Sequence, residues 1–198
     1  MCAKKSCANA DVTIDNFTDF IDETSWEEFM PKGVTKEIFK RFSKYYDKDI
    51  FIAASRRIRF IAKTADELEP TERVLKISSL FATFKNPDKE TVLTPWKVVN
   101  IHLSSTLGGY NFYDFESDKF MENPKFTNLG EITNQLLRNK NVKILEINSK
   151  TGLYPLYITY SIYRFKLAEY SETELTFEKM QSIWDETILN NIFIVCKT

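Results

Sequence analysis

The chain has 198 residues and a mass of 23.2 kDa, which fits one domain or one domain with a helical extension. Its 27 lysines and arginines nearly balance 28 aspartates and glutamates, so a strongly basic nucleic-acid clamp is excluded, although a local basic face is not. With 43% hydrophobic residues, disorder of the whole chain is excluded, and the five glycines disfavour a turn-rich all-β sandwich.

The N-terminus and the cysteines give no sign of secretion. Residues 1–12 are small and polar, which predicts a mobile N-terminus without the apolar stretch of a signal peptide. No apolar run approaches the roughly 18 residues of a transmembrane helix. The three cysteines, Cys2, Cys7 and Cys196, imply neither a disulfide framework nor a zinc motif. We therefore expect a cytoplasmic protein with no membrane partner and no metal site.

Residues 13–107 are predicted to form a helical domain. Apolar residues recur three and four positions apart in three segments: Ile38, Phe39, Phe42 and Tyr45; Phe51, Ala54, Ile58, Ile61 and Ala65; Val74, Ile77, Phe81 and Phe84. Arg56, Arg57 and Arg59 lie off the second stripe. They could contact DNA phosphates, although such a run more often forms a solvated face or pairs with acids.

The last helix of this region is the best marked. Thr94 is a predicted N-cap, Pro95 suits the first helical position, and Gly108 suits the C-terminal stop. His102, the only histidine, lies near apolar positions of this helix, so a structural role is favoured over a catalytic one.

Residues 108–141 are predicted to be an irregular, aromatic connector. Its acids, Asp114, Glu116, Asp118 and Glu122, match no nuclease spacing and are interpreted as solvated rather than as Mg²⁺ ligands.

Residues 142–198 are predicted to form a strand, two helices and a second strand. The apolar run 142–147 contains Glu146, a polar turn leads to Gly152, and residues 191–196 form the final strand. Because ligands of open α/β sheets bind at the carboxyl ends of strands, Glu146 could accept from a ligand's hydroxyl or amino group. The tyrosines at 154, 157, 160 and 163 are interpreted as core or as an interface covering rather than as base-stacking residues. Lys150-Thr151-Gly152 lacks the order of a phosphate loop.

Two segments together resemble a known family. The stretch Thr94-Pro95-Trp96-Lys97-Val98-Val99, followed by Leu145-Glu146-Ile147-Asn148-Ser149-Lys150-Thr151-Gly152-Leu153, resembles the bacterial DNA adenine-N-6 methyltransferases of restriction-modification systems, more narrowly the fused type II restriction/methylase polypeptides. The resemblance implies a Rossmann-like domain that binds S-adenosylmethionine (SAM). Thr94 and Pro95 would line the methionine end of SAM, and Glu146 and Gly152 would border the same ligand. The remaining cofactor-binding residues implied are Asn148, Lys150, Thr151 and Leu153.

The resemblance also indicates what the chain lacks. The family's catalytic Asn- or Asp-Pro-Pro-Tyr motif, which holds the flipped base, is absent from these residues. Lys150 replaces the first of two glycines, and could crowd the ligand or reach its carboxylate. We therefore expect a helix-rich α/β chain: an N-terminal helical bundle followed by the truncated start of a Rossmann-like sheet, with no catalytic residue and no activity alone.

The expected partners are double-stranded DNA and the remaining methyltransferase or restriction part, in the same polypeptide or in a partner subunit. The alternative function is a non-catalytic helical module that couples parts of a restriction-modification complex or binds DNA.

Overall fold

The computed structural model describes residues 11–83, 93–147, 149 and 151–195. This part of the chain is helix-rich with two small sheets, in keeping with a helix-rich α/β class. The helices are α1 Glu23–Phe29, α2 Lys36–Phe42, α3 Lys48–Ala65, α4 Pro70–Phe81, α5 Trp96–Thr106, α6 Glu131–Thr133, α7 Leu153–Leu167 and α8 Phe177–Asn191. The strands are β1 Gly109–Asp114, β2 Lys119–Thr127, β3 Ile144–Ile147 and β4 Ile192–Val195.

A small cluster in the N-terminal region is separate from the main core. Ile14, Trp26 and Phe39 are buried together, and the rings of Trp26 and Phe39 meet edge to face at 5.3 Å. The indole of Trp26 also donates to the backbone oxygen of Val34 at 2.8 Å. The interpretation of one buried stripe on α2 was too broad, because Phe42 and the following Tyr45 are 55% and 74% exposed.

Helices α3 and α4 pack against each other and are joined by a buried arginine. Arg73 of α4 donates to the backbone oxygens of Ala65, Asp66 and Leu68, and to the side chain of Gln181 on α8. These acceptors include carbonyls at the C-terminal end of α3, which have no partner within their own helix. The predicted stripe of α4 is present as far as Phe81, whereas Phe84 lies outside the described residues.

The main core lies between α5, α7, α8 and the β1–β2 hairpin. Tyr157, Tyr160 and Tyr163 of α7 are fully buried, which confirms the core interpretation for these three, whereas Tyr154 is half-buried against the same core. The Tyr157 hydroxyl donates to the Gly108 oxygen at 2.9 Å, and the Tyr160 and Thr71 hydroxyls lie 3.0 Å apart. These bonds connect α7 to the end of α5 and to the start of α4.

Helix α5 begins one residue later than predicted. Its N-cap is Pro95, whose extended backbone (ψ 148°) precedes Trp96 and whose oxygen accepts from Val99. Thr94 makes no capping bond, because a side chain one residue earlier does not meet the free N–H groups of the first turn. The predicted stop is confirmed: Gly108 has φ +75° and donates to the Leu103 oxygen at 3.1 Å.

The prediction of an irregular connector was wrong, because residues 108–141 contain a β-hairpin. Strands β1 and β2 pair antiparallel with a bulge between Asn111 and Tyr113. Asp114 closes the turn by accepting from the Glu116 N–H and the Ser117 hydroxyl, and Asp118 pairs with Lys97. Two of the four acids therefore stabilise the hairpin.

The second sheet has the predicted parallel arrangement. Strand β3 pairs with β4 in the register Ile144 to Ile192 through Ile147 to Val195, and α7 and α8 lie between them in sequence. Asn191 secures the approach to both strands, since its amide donates to the oxygens of Lys140 and Val142 at 2.8 and 2.7 Å.

Candidate functional site

The candidate site is the carboxyl end of strand β3, where a carboxylate is partly withdrawn from solvent. Glu146 is half-buried, and its Oε2 is buried with no hydrogen-bond partner among the described residues. Burial raises the pKa of Glu146, and a hydrogen bond from Ser149 only partly opposes that rise. A buried carboxylate oxygen without a donor is costly, so the site favours a ligand that brings a hydroxyl or amino group.

A helix N-terminus follows within a few residues. Gly152 is the N-cap of α7 in the left-handed conformation (φ +71°), and nothing lies within 4 Å of the position a Cβ would take. The first-turn N–H groups of a helix have no acceptor within the helix, and here Pro155 contributes none. The amides of Leu153 and Tyr154 have no acceptor among the described residues, and amides at this position of a helix favour an anionic group.

The loop between the strand and the helix is tied to β4. The buried Ser149 donates its backbone N–H to the Val195 oxygen at 3.4 Å. Ser149 was missed by the sequence interpretation, although its position between a strand-end acid and Gly152 was a usable signal. Thr151 is half-buried, and Leu153 packs in the main core. Asn148 and Lys150 lie outside the described residues.

The described hydrogen bonds and ring contacts do not link Thr94 or Pro95 to this site. No hydrogen bond or ring contact joins either residue to Glu146 or Gly152 within the described ranges. Helix α5 meets the N-terminal turn of α7 through His102, about two turns beyond Pro95. The connection from Pro95 is indirect: the ring of Trp96 lies 6.4 Å from that of Tyr157.

His102 makes a contact between helices. Its Nδ1 lies 3.2 Å from the Tyr154 hydroxyl, and the two rings meet edge to face at 5.7 Å. The side chain is exposed, and its partner is a tyrosine hydroxyl rather than a nucleophile–acid pair. This contact agrees with the structural role favoured by the sequence.

The three arginines of α3 do not form one free basic face. Arg56 forms a two-bond ion pair with Asp11, and this contact holds the pKa of the Asp11 carboxyl below its usual range. Arg59 adds to the same attraction. Arg57 instead borders a cavity of about 340 Å³ between α3 and α4, together with Lys76. At least one of the three arginines, Arg56, is therefore paired with an acid rather than free to bind phosphate.

The outer face of the β3–β4 sheet is apolar and open. Its side chains alternate with Glu146 and lie in register across the two strands: Leu145, Ile147, Phe193 and Val195. They are between 42% and 72% exposed. Parallel sheets are normally covered on both faces, so this face is typical of a surface that receives further polypeptide.

The titration of Glu146 gives a first prediction. Because burial raises its folded-state pKa above the ordinary 4.5, its contribution to stability is full below pH 4.5 and is lost as pH rises through the folded-state pKa. We expect the free energy of unfolding of wild type, relative to Glu146→Gln, to fall over this window. Urea unfolding between pH 4 and 8 measures it. Glu122→Gln, which removes a charge from an exposed position of β2, corrects for the change in net charge. The prediction would be contradicted if the unfolding free energies of wild type and Glu146→Gln changed with pH in parallel.

Neither a metal-binding cluster nor a membrane-spanning helix is present in the described ranges. No group of three histidine, cysteine, aspartate or glutamate residues there could hold a metal ion. None of the helices in the same ranges is long and apolar enough to cross a bilayer.

Comparisons with known proteins do not assign a family to this site. The chain matches no family model, no curated protein and no solved structure. The functional conclusion therefore depends on the geometry around Glu146 and Gly152 and on the motifs of the sequence.

Proposed function

We propose that this chain is the SAM-binding portion of a DNA adenine-N-6 methyltransferase from a bacterial restriction-modification system, acting in the cytoplasm. The observation that carries the proposal is the buried oxygen of Glu146, which has no hydrogen-bond partner among the described residues and lies at the end of a parallel strand, just before Gly152 and the N-terminus of α7. An acid and a helix N-terminus in this order suit a ligand with both hydroxyl or amino groups and a carboxylate. SAM carries all of these groups.

The residues divide this recognition between them. Glu146 accepts from a hydroxyl or amino group, and the amides of Leu153 and Tyr154 face the carboxylate. Gly152 leaves space for close approach, because no neighbouring atom lies where its Cβ would be. Family resemblance adds Asn148, Lys150 and Thr151 to the proposed site. It also adds Thr94 and Pro95, although no described hydrogen bond or ring contact links these two to Glu146 or Gly152.

The proposal is for part of an enzyme with a Rossmann-like sheet. Two strands with an open apolar outer face support a sheet that is continued by the remaining methyltransferase or restriction part. The catalytic Asn- or Asp-Pro-Pro-Tyr motif is absent from the sequence. We therefore expect no transfer of a methyl group from SAM to duplex DNA by this chain alone, and chain-dependent methylation of adenine would contradict that part of the proposal.

A SAM titration tests the cofactor site. A ligand that binds only the folded state raises the thermal midpoint, so SAM is expected to raise that of the wild-type chain. Glu146→Ala should abolish the shift, whereas Glu122→Ala, which removes an exposed acid from β2, should retain it. Calorimetry with S-adenosylhomocysteine provides a second readout. The proposal would be overturned if wild type showed neither a thermal shift with SAM nor calorimetric binding of S-adenosylhomocysteine at millimolar concentration. It would also be overturned if Glu146→Ala kept the full wild-type response.

The alternative is a non-catalytic helical module that couples parts of such a complex or binds DNA. The separate cluster of Ile14, Trp26 and Phe39 favours it, because these helices bury side chains of their own. Salt-dependent DNA binding without any SAM response would favour the module over the cofactor-binding portion.

A further inference from the structure

Two arginines stack on one group of aromatic rings beside the hairpin. The Arg138 guanidinium lies 5.5 Å from the ring centre of Phe126 and 5.0 Å from that of Phe165. Arg164 lies 4.9 Å from the ring centre of Tyr110. The three rings contact one another at 5.3 to 5.8 Å. We refer to these five residues as the arginine–aromatic cluster.

Neither arginine has a carboxylate partner among the described residues. Arg138 is exposed and makes no hydrogen bond or ion pair there. Arg164 is half-buried, and its one hydrogen bond is from Nη1 to the neutral Tyr160 hydroxyl at 2.9 Å. Burying part of a charge without a counter-ion is unfavourable, so this arrangement points to an anion that is supplied from outside.

Only some of the other cations in the described ranges have a carboxylate partner; Arg73, for example, is bonded to backbone oxygens and to Gln181 instead. Six of them lie within ion-pair distance of a carboxylate: Lys36, Lys40, Lys48, Arg56, Lys97 and Lys140. Since Arg56 is occupied by Asp11, the α3 run is less available to phosphates than the sequence indicated.

We propose that the arginine–aromatic cluster binds the phosphodiester backbone of duplex DNA. A guanidinium whose face rests on aromatic rings keeps its N–H edge for paired hydrogen bonds, which match the oxygens of a phosphate. Arg138 rests on Phe126 and Phe165, and Arg164 rests on Tyr110. Because Tyr110 contacts both phenylalanine rings, the two guanidinium groups belong to one cluster. The choice of DNA among polyanions rests on the proposed function. The contact positions the chain on the duplex without reading its sequence.

Fluorescence anisotropy with a labelled 20-base-pair duplex, without SAM, tests the proposal. Each phosphate contact adds about 0.9 to the slope of log affinity against log salt, so Arg138→Ala should lower the slope by about 0.9 and weaken binding about fivefold at 0.15 M salt. Arg164→Gln should act in the same direction. Arg138→Lys should retain the slope, because it retains the charge.

The matched control is Arg41→Ala, which removes an exposed arginine from α2, and it should bind like wild type. Circular dichroism of each variant checks that it is folded. The inference would be overturned if wild type showed no salt-dependent binding to the duplex. It would also be overturned if Arg138→Ala and Arg164→Gln both kept the wild-type affinity and slope, or if Arg41→Ala weakened binding as much as they do. A SAM titration separates this outcome from the proposed function: lost DNA binding with an intact SAM response overturns only the cluster.

Discussion

Replacing Gly108 with alanine is expected to lower the free energy of unfolding by about 3 kcal/mol. Gly108 has φ +75°, and a Cβ there would lie 2.5 Å from the Thr127 backbone oxygen and 2.5 Å from the Thr133 hydroxyl. Neither neighbour yields easily. Thr127 belongs to strand β2, and Thr133 is fully buried, accepting from the Leu129 N–H and donating to the Leu107 oxygen.

The chain offers a control that separates steric overlap from backbone strain. Gly130 also has positive φ (+66°), but nothing lies within 4 Å of its virtual Cβ. Gly130→Ala should therefore cost only the strain of its backbone conformation (φ +66°, ψ −124°), about 1 to 2 kcal/mol. Urea unfolding of both variants measures the difference. Equal losses at the two positions would mean that the contacts around Gly108 relax freely, contrary to the prediction.

Asn100→Ala is expected to cost about 3 kcal/mol, because Asn100 satisfies a group that the hairpin leaves unpaired. The β-bulge removes Phe112 from the ladder of paired residues, and its N–H donates instead to Asn100 Oδ1 at 2.8 Å. The Asn100 amide donates to the Trp96 oxygen, also at 2.8 Å. Asn100 is completely buried, so no water replaces it without rearrangement.

Asn100→Leu distinguishes the lost hydrogen bond from the lost volume. Leucine fills most of the space but leaves the Phe112 N–H without an acceptor, so the variant should remain at least about 1 kcal/mol less stable than wild type. Urea unfolding measures the stability of both variants. Hydrogen exchange gives a second measurement, because the Phe112 N–H should lose its protection against exchange in both. Wild-type stability of Asn100→Leu would show that the hydrogen bond has no net value.

Local periodicity predicted the helices well and the hairpin poorly. The spacing around Val74 repeats every three to four residues and marks one buried face of α4, whereas α7 is buried on all sides from Tyr157 to Tyr163. Strand β1 gives no such signal, because Asn111, Phe112 and Tyr113 are all buried in succession around the bulge. A bulge breaks the alternation on which strand prediction depends. Its partner β2 is largely exposed, so its apolar residues also show no clear period.

The sequence indicated which residues form the candidate site better than it indicated how they are arranged. An apolar run, an acid and a glycine indicated the strand, loop and helix, since these preferences are local. The burial of the Glu146 oxygen depends on packing, and the stacking of Arg138 on Phe126 and Phe165 joins distant parts of the chain. Thr94 is not the cap, because Pro95 has an extended ψ angle and the helix therefore begins one residue later. The sequence does not determine that single dihedral angle.

Because the two hydrophobic clusters are separate, the tryptophans can report on each cluster independently by fluorescence. Trp26 lies in the N-terminal cluster, whereas Trp96 and Trp184 lie in the main core. A variant that retains only Trp26 would follow the melting of the first cluster, and one that retains only Trp184 would follow the second. Coincident transitions would show that α3 and α4 couple the clusters into one cooperative unit, and separate transitions would show that each melts independently.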